Sequence, residues 1–150
     1  MPTTKILGRV VLPLIAALAI AAPVSADGAI KTAIRIHVTF GVVAEPFTTT
    51  GGLLCPAGTA VTDSNMTAGG GTGVSFHVVK TLTCEDGTGT FRIMVDAGTS
   101  PQPSSQPVGG GGWRVIDGTG DYAGIRGGGH LEATGFPGGV DDLYTGNLQH

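Results

Sequence analysis

Residues 74–97, VSFHVVKTLTCEDGTGTFRIMVDA, consist of two alternating apolar segments separated by a turn sequence. Phe76, Val78 and Leu82 lie along one face of the first segment, and Lys80 interrupts that face. The second segment alternates in the same way and places Phe91, Ile93 and Val95 on one face. The Asp-Gly step between the segments favours the positive backbone angles of a tight turn. The stretch therefore predicts a β-hairpin of residues 74–84 and 90–97.

The same two-residue period predicts further strands on both sides of this hairpin. Residues 33–40 alternate most clearly, with Ile34, Ile36, Val38 and Phe40 on one face. Shorter segments are expected to be strands at residues 53–55, 59–65, 113–116, 130–134 and 143–148, with a turn at 56–58. Residues 98–112 are rich in Pro, Ser, Gln and Gly, so we predict a surface loop there.

Glycine content and strand spacing together indicate the fold class. Gly occupies 27 of the 150 positions, and Leu, Lys and Glu are sparse, so long helices are disfavoured. Several short strands without intervening helices predict an all-β antiparallel sandwich or closed barrel. A closed β-barrel is favoured because it has no free edges, and this glycine-rich chain has few lysines to protect an edge.

The first 26 residues have the pattern of a secretory signal peptide. Lys5 and Arg9 precede an apolar stretch at residues 10–22, and Val24-Ser25-Ala26 has small residues suited to cleavage. The apolar stretch is shorter than the roughly 20 residues that span a membrane. Cleavage after residue 26 is thus predicted in preference to an uncleaved anchor. The expected mature chain, residues 27–150, is a single domain that is secreted or held in the cell envelope, with no membrane span.

Charge and cysteine content narrow the possible partners. Without residues 1–26, six basic residues face eleven acidic ones, for a net charge of −5. Nucleic acid is not an expected partner because phosphate binding needs clustered Lys and Arg. Cys55 and Cys84 are the two cysteines of the chain, and we predict a disulfide between them in an oxidising compartment. Their spacing does not match a redox or zinc motif.

Residues 113–129, WRVIDGTGDYAGIRGGG, form the most specific motif of the chain. Trp113 and Val115 are expected on one side of a strand, and the next glycines, Gly118 and Gly120, permit a sharp reversal. Residues 121–125 can make one short helical turn, which places Tyr122 and Ile125 on a shared face to plug one end of the sheet. Gly124 belongs to this turn segment, and Gly127 to Gly129 then release the chain into the next strand.

This motif resembles the Trp, Gly-Thr-Gly, Tyr-Ala-Gly and Arg-Gly signature of small exported bacterial proteins related to the allene oxide cyclase-like barrels. That group also includes plant dirigent proteins. The resemblance covers residues 113–134 well and extends weakly through Asp142-Leu143-Tyr144-Thr145-Gly146. It implies an antiparallel barrel of about eight strands with a central cavity.

No motif for catalysis or cofactor binding stands out in the sequence, and we predict neither a cofactor nor a metal. Gly118-Thr119-Gly120 lacks the long helix of a dinucleotide site, and no Walker sequence occurs. The aspartates with some potential as calcium ligands, which do not match an EF-hand, are Asp117, Asp121, Asp141 and Asp142. The histidines, which lack helical zinc-ligand spacing, are His37, His77, His130 and His150.

Three functions remain open from the sequence. The first is a non-catalytic barrel that binds a small apolar ligand, or a cell-surface partner, in or around its mouth. The second, implied by the resemblance alone, is an isomerase or cyclase-like enzyme acting in the cavity. The polar residues that we expect to be able to face such a cavity are Arg35, His37, Arg92 and Glu132. The third is a structural component of the envelope or matrix.

Overall fold

A computed structural model describes residues 28–70, 73–100 and 108–150 as an eight-stranded antiparallel β-barrel. Neighbouring strands in sequence pair with each other, and β8 returns to pair with β1, which closes the barrel. The strands are β1 Ile30–Thr39, β2 Ala44–Thr50, β3 Ala57–Gly70, β4 Gly73–Cys84, β5 Thr90–Ser100, β6 Val108–Gly118, β7 Arg126–Phe136 and β8 Gly139–Gln149. The predicted fold class is confirmed. The predicted signal peptide, residues 1–26, lies outside the described residues.

Alternate residues of each strand fill the barrel interior, as the two-residue period of a strand requires. Across adjacent strands, Ile34 lies beside Tyr144, and Leu82 beside Phe91. Strand pairing therefore places the inward residues of the predicted 74–97 hairpin on the same interior face as the inward residues of the other strands. The largest fully buried side chains are Tyr144, Phe47, Phe91, Ile34, Ile36, Leu82, Ile93 and Leu148.

One end of the barrel, which we call the closed end, is formed by residues 51–56, 85–89 and 119–125. The predicted disulfide is present there and joins Cys55 to Cys84 across a Cα–Cα distance of 5.9 Å. The predicted helical turn is also present, as a 3-10 turn at Gly120–Tyr122. Tyr122 packs edge-on against Phe91, with ring centroids 5.5 Å apart. Tyr122 and Ile125 are both buried, so this end is covered by side chains.

The structure of the 113–129 motif shows the roles of its glycines and its tryptophan. Gly120 has a φ of +60°, and a Cβ there would lie 2.2 Å from the Thr88 carbonyl oxygen, so a side chain is excluded. Trp113 points inward from β6, and its Nε1 donates a hydrogen bond to the Thr145 carbonyl oxygen on β8, at 3.1 Å. The other motif glycines end β6, follow the 3-10 turn and lie in β7; they are Gly118, Gly124 and Gly127.

The opposite end, which we call the open end, includes residues 40–43 between β1 and β2 and residues 137–138 between β7 and β8. Phe40, Val42 and Val43 are exposed there, although the alternation of residues 33–40 predicted that Phe40 would share the inward face. Phe40 has left β1, and its backbone N–H donates to the Gly138 carbonyl oxygen, which ties the two turns together. This end therefore presents apolar side chains to solvent.

Three local predictions were wrong. Residues 98–100 and 108–112 of the predicted 98–112 loop are strand, and residues 101–107 lie outside the described residues. Glycine backbones can pair closely without side chains: Gly111 lies opposite Ala97, where a Cβ would approach the Asp96 carbonyl oxygen to 2.1 Å. Residues 53–55 lie in the connection at the closed end, where Leu54 and Cys55 are buried as part of the core. The predicted turn at 56–58 belongs largely to β3, and β2, which contains Pro46, was not anticipated.

Candidate binding site in the barrel interior

A buried ion pair lies inside the barrel. Lys80 on β4 and Glu45 on β2 both point inward, and their Nζ and Oε2 atoms are 2.7 Å apart. Each side chain is only 7% exposed. Lys80 Nζ also donates to Thr62 Oγ1 on β3 at 3.1 Å, so three neighbouring strands meet at one ammonium group.

Asp142 and Tyr144, both on β8, extend this polar cluster. The Tyr144 hydroxyl donates to Asp142 Oδ2 at 2.9 Å. Burial raises the pKa of Asp142 above its ordinary value, although the Tyr144 hydrogen bond and the positive charge of Lys80 oppose the shift. Burial, together with the Asp142 charge, raises the pKa of Tyr144 well above its ordinary value. Tyr144 is therefore held in its protonated, donating form. We call Lys80, Glu45, Asp142 and Tyr144 the interior polar cluster.

The interior polar cluster lies between two unlike halves of the barrel interior. Towards the closed end, the inward residues are fully buried aromatic and aliphatic side chains. Towards the open end, the inward face includes the exposed polar residues Asn65 and Thr67 on β3, which lie opposite Val78 and Phe76. Its other described residues include half-buried apolar side chains, namely Val38, Phe76, Val78, Ala97 and Val140. A molecule entering from the open end would thus meet a largely apolar wall first and charged groups behind it.

The four residues predicted to face a cavity are all exposed, and that prediction is wrong. Arg35 and His37 occupy the outward positions of β1, since Ile34, Ile36 and Val38 take the inward ones. Arg92 likewise alternates with buried Phe91 and Ile93, and Glu132 alternates with buried Leu131 and Ala133. The physical reason is the strand period: a residue next to an inward apolar side chain must point outward.

Three of these four residues nevertheless meet in a groove on the outer surface. Arg35, His37 and Glu132 line a concavity of about 670 Å³ that crosses β2, β1, β8 and β7. There His37 Nδ1 lies 2.6 Å from Asp141 Oδ1, and the His37 ring stacks on Phe136 with centroids 4.7 Å apart. The pair is half exposed to water, in contrast to the interior polar cluster.

Arg92 lies elsewhere on the outer surface, paired with Asp117 near the closed end. Its Nε donates to Asp117 Oδ1 at 2.8 Å, and this hydrogen bond lowers the pKa of Asp117 below its ordinary value. A second exposed histidine and aspartate pair, His77 and Asp96, joins β4 to β5 at 2.6 Å. Within residues 28–70, 73–100 and 108–150, no three His, Cys, Asp or Glu side chains are grouped to hold a metal ion.

Sequence reasoning missed the interior polar cluster, although one signal for it was present. Lys80 interrupts the apolar face of Phe76, Val78 and Leu82, and a charge on an inward face needs a buried partner. Its partner Glu45 lies in β2, which was not predicted as a strand. The partner is 35 residues away in sequence, so pairing it with Lys80 required knowledge of the β2–β3–β4 register.

No protein-family model, curated protein or solved structure matches this chain. In the described part of the chain, no helix is long and apolar enough to cross a membrane. Function must therefore be inferred from the geometry of the barrel and the chemistry of its interior.

Proposed function

We propose that this protein is an exported binding module that receives a small, largely apolar molecule at its open end. The polar group of that molecule reaches the interior polar cluster, while its apolar body contacts the half-buried side chains around Val38 and Val78. The observation that carries this proposal is the Lys80–Glu45 ion pair, which is almost fully buried inside the barrel.

The energetics of a buried ion pair support a role beyond stability. Removing two charges from water costs several kcal/mol per ion, and their attraction repays that cost only with good geometry. Apolar residues of the same volume would stabilise a barrel interior at least as well. An ammonium group has three donors, and Lys80 uses two of them on Glu45 and Thr62 within the described residues. A ligand oxygen can accept the third.

The dimensions of the barrel are compatible with this use. A barrel of about eight strands is just wide enough to hold one small ligand, and binding sites are mostly apolar with a few placed polar groups. The closed half is filled by the buried core, so the ligand is expected in the open half. Phe40, Val42 and Val43 at the rim would extend the apolar contact.

Export is supported by two independent features. Residues 1–26 have the three regions of a signal peptide, and the mature region carries the Cys55–Cys84 disulfide, a bond that persists in oxidising compartments. The resemblance of residues 113–134 to exported allene oxide cyclase-like barrels is in keeping with both features. These features support our proposal that the protein acts outside the cell or in its envelope.

A second candidate function is an isomerase or cyclase-like enzyme that uses the same interior. One observation favours it: the Asp142 carboxyl group, with its raised pKa, lies 2.9 Å from the Tyr144 hydroxyl. A carboxyl group with a raised pKa is suited to proton transfer. The four polar residues first considered for catalysis are exposed on the outer face, so this candidate depends on Asp142 and Tyr144.

Binding of 1-anilinonaphthalene-8-sulfonate, an apolar ring system with one anionic group, tests the proposal. We expect saturable fluorescence enhancement that weakens at least tenfold in a Lys80→Met/Glu45→Gln double variant, which removes both charges together. Arg35→Met, in the outer groove, is the matched control and should leave the affinity unchanged. Equal affinity in the double variant and the parent, or loss of binding in the Arg35 variant, would reject the interior site.

Native mass spectrometry of protein secreted by its host separates the two candidates. A binding module should carry a co-purified small molecule that is released unchanged on denaturation. An enzyme should instead convert the displaced molecule when it is added back, and Asp142→Asn should abolish that conversion.

A further inference from the structure

Among the residues that the structure describes, none pairs with one edge of strand β3 over more than half of its length. Strand β3 pairs with β2 only from Ala57 to Val61, opposite Thr48 to Ala44. Beyond that point β3 continues to Gly70 while pairing with β4 alone. Among the described residues, none offers backbone hydrogen bonds to the other side of Thr62–Gly70, the segment that we call the free edge.

The free edge has little of the usual protection against strand addition. Natural sheets protect their edges with lysine, proline, inward-pointing charges or β-bulges. One bulge is present at Asp63, where the register of β3 with β4 shifts between Thr62 and Ser64, and the strand continues beyond it. Residues 62–70, TDSNMTAGG, contain neither lysine nor proline, and all nine are exposed. Their one charge, Asp63, accepts a hydrogen bond from Thr81 on β4 at 2.7 Å, so it is held towards the paired side of the strand. The backbone groups of the free edge are therefore accessible to another strand.

We propose that the free edge binds the same edge of a second copy of this chain, in antiparallel register about a two-fold axis at Met66. An isologous dimer requires a self-complementary patch, and an antiparallel strand pair provides one. Met66 is the midpoint of Ser64–Ala68, the regular part of the free edge between the bulge at Asp63 and Gly69, whose φ is +117°. This register therefore pairs Ser64 with Ala68 of the partner. The result is a sheet that continues from β4 and β3 of one copy into β3 and β4 of the other.

The side chains at this register favour the pairing. Met66 is an apolar side chain that is 63% exposed, and the two-fold axis brings it against its symmetry mate. Asp63 lies just outside the paired Ser64–Ala68 segment, so the two Asp63 carboxylates are separated by about six residues, or roughly 20 Å along the strands. The pairing thus covers apolar surface without opposing like charges.

Sedimentation equilibrium of the disulfide-intact protein tests the dimer. One added strand pair makes a small interface, so we expect twice the monomer mass at high concentration and dissociation on dilution. Met66→Lys should abolish the dimer, because it places two ammonium groups at the two-fold axis. Thr145→Lys, exposed on β8 between two paired neighbours, is the control and should leave the dimer intact.

Cysteine cross-linking tests the register itself. Directly opposed Cα atoms in an antiparallel pair are about 4.5–5.5 Å apart, within disulfide range, so Met66→Cys should form an intermolecular disulfide under mild oxidation. Ser64→Cys lies on the same face two residues away. The Cα atoms of residue 64 in the two copies would be more than about 13 Å apart, so this variant should not cross-link. A monomer at all concentrations, a dimer that persists in Met66→Lys, or cross-linking at residue 64 rather than 66 would each overturn the proposal.

Discussion

The two ends of this barrel differ in the interactions that they contain. The closed end combines a disulfide, a tyrosine plug and fully buried apolar side chains, and its charged side chains, such as the Arg92–Asp117 pair, remain in water. Away from the closed end lie the buried ion pair, exposed apolar residues at the rim and, within the described residues, a strand edge without a partner. Stabilising features are concentrated at one end, and features that invite a ligand or partner are concentrated at the other.

The largest expected effect comes from removing one charge of the buried Lys80–Glu45 ion pair. Lys80→Met leaves Glu45 buried without its partner, and we expect the free energy of unfolding to fall by about 3–5 kcal/mol in urea denaturation. The Lys80→Met/Glu45→Gln double variant should recover most of this loss, since neither charge then remains. If the single and double variants are equally stable, the ion pair is not buried as described.

Removing the disulfide tests the closed end by the same measurement, the free energy of unfolding. Replacing both Cys55 and Cys84 with Ala opens a loop with a sequence separation of 29, and we expect a loss of about 3 kcal/mol in urea denaturation. Binding of the anilinonaphthalene probe, measured under conditions where the variant is folded, should be unchanged. A variant that keeps its stability but loses the probe would show that the two ends are not separate.

A smaller effect is expected where the two halves meet. Trp113→Phe keeps an aromatic ring beside Tyr144 but removes the Nε1 donor to the Thr145 carbonyl oxygen. The loss should be about 1 kcal/mol, the usual contribution of one such hydrogen bond. Thermal or urea unfolding measures it. A loss of several kcal/mol would indicate that packing of the larger indole, and not the hydrogen bond, holds β6 and β8 together.

The smallest expected effects are on the pH dependence of folding stability. Asp142 and Asp117 should contribute to it with opposite signs. Burial raises the pKa of Asp142, so its protonated form favours the folded state, and stability from this group is lost as pH rises through the raised pKa. Asp142→Asn should therefore be more stable than the parent near pH 7, with the difference shrinking towards about pH 3. Urea midpoints across this pH range provide the measurement.

Asp117, near the closed end, is the group to compare with Asp142. Its lowered pKa contributes stability above the ordinary pKa, and that contribution is lost as pH falls through the lowered value. Asp117→Asn should thus be slightly less stable than the parent near neutral pH and equal to it in acid. Changes of the same sign in both variants would contradict the difference between the halves.

The local sequence pattern predicted much of the fold and little of the site. Alternation in residues 33–40 and 74–97 identified strands and most of their inward faces, because a strand's two-residue period is a local property. It did not reveal strands in residues 108–112, where consecutive glycines leave no side-chain pattern to detect. The short apolar run at residues 53–55 was likewise ambiguous between a strand and a buried connection.

By itself, the sequence determined the all-β class, the disulfide and the glycine-rich turn that covers one end, because each depends on residues close together in the chain or on a choice among very few partners. Only the tertiary structure decided which polar groups lie inside. Lys80, Glu45 and Asp142 come from strands distant in sequence, and one residue of register separates an inward carboxylate from an outward one such as Asp141. Barrel closure also left part of β3 without a neighbour among the described strands, since β2 is too short to pair with all of it.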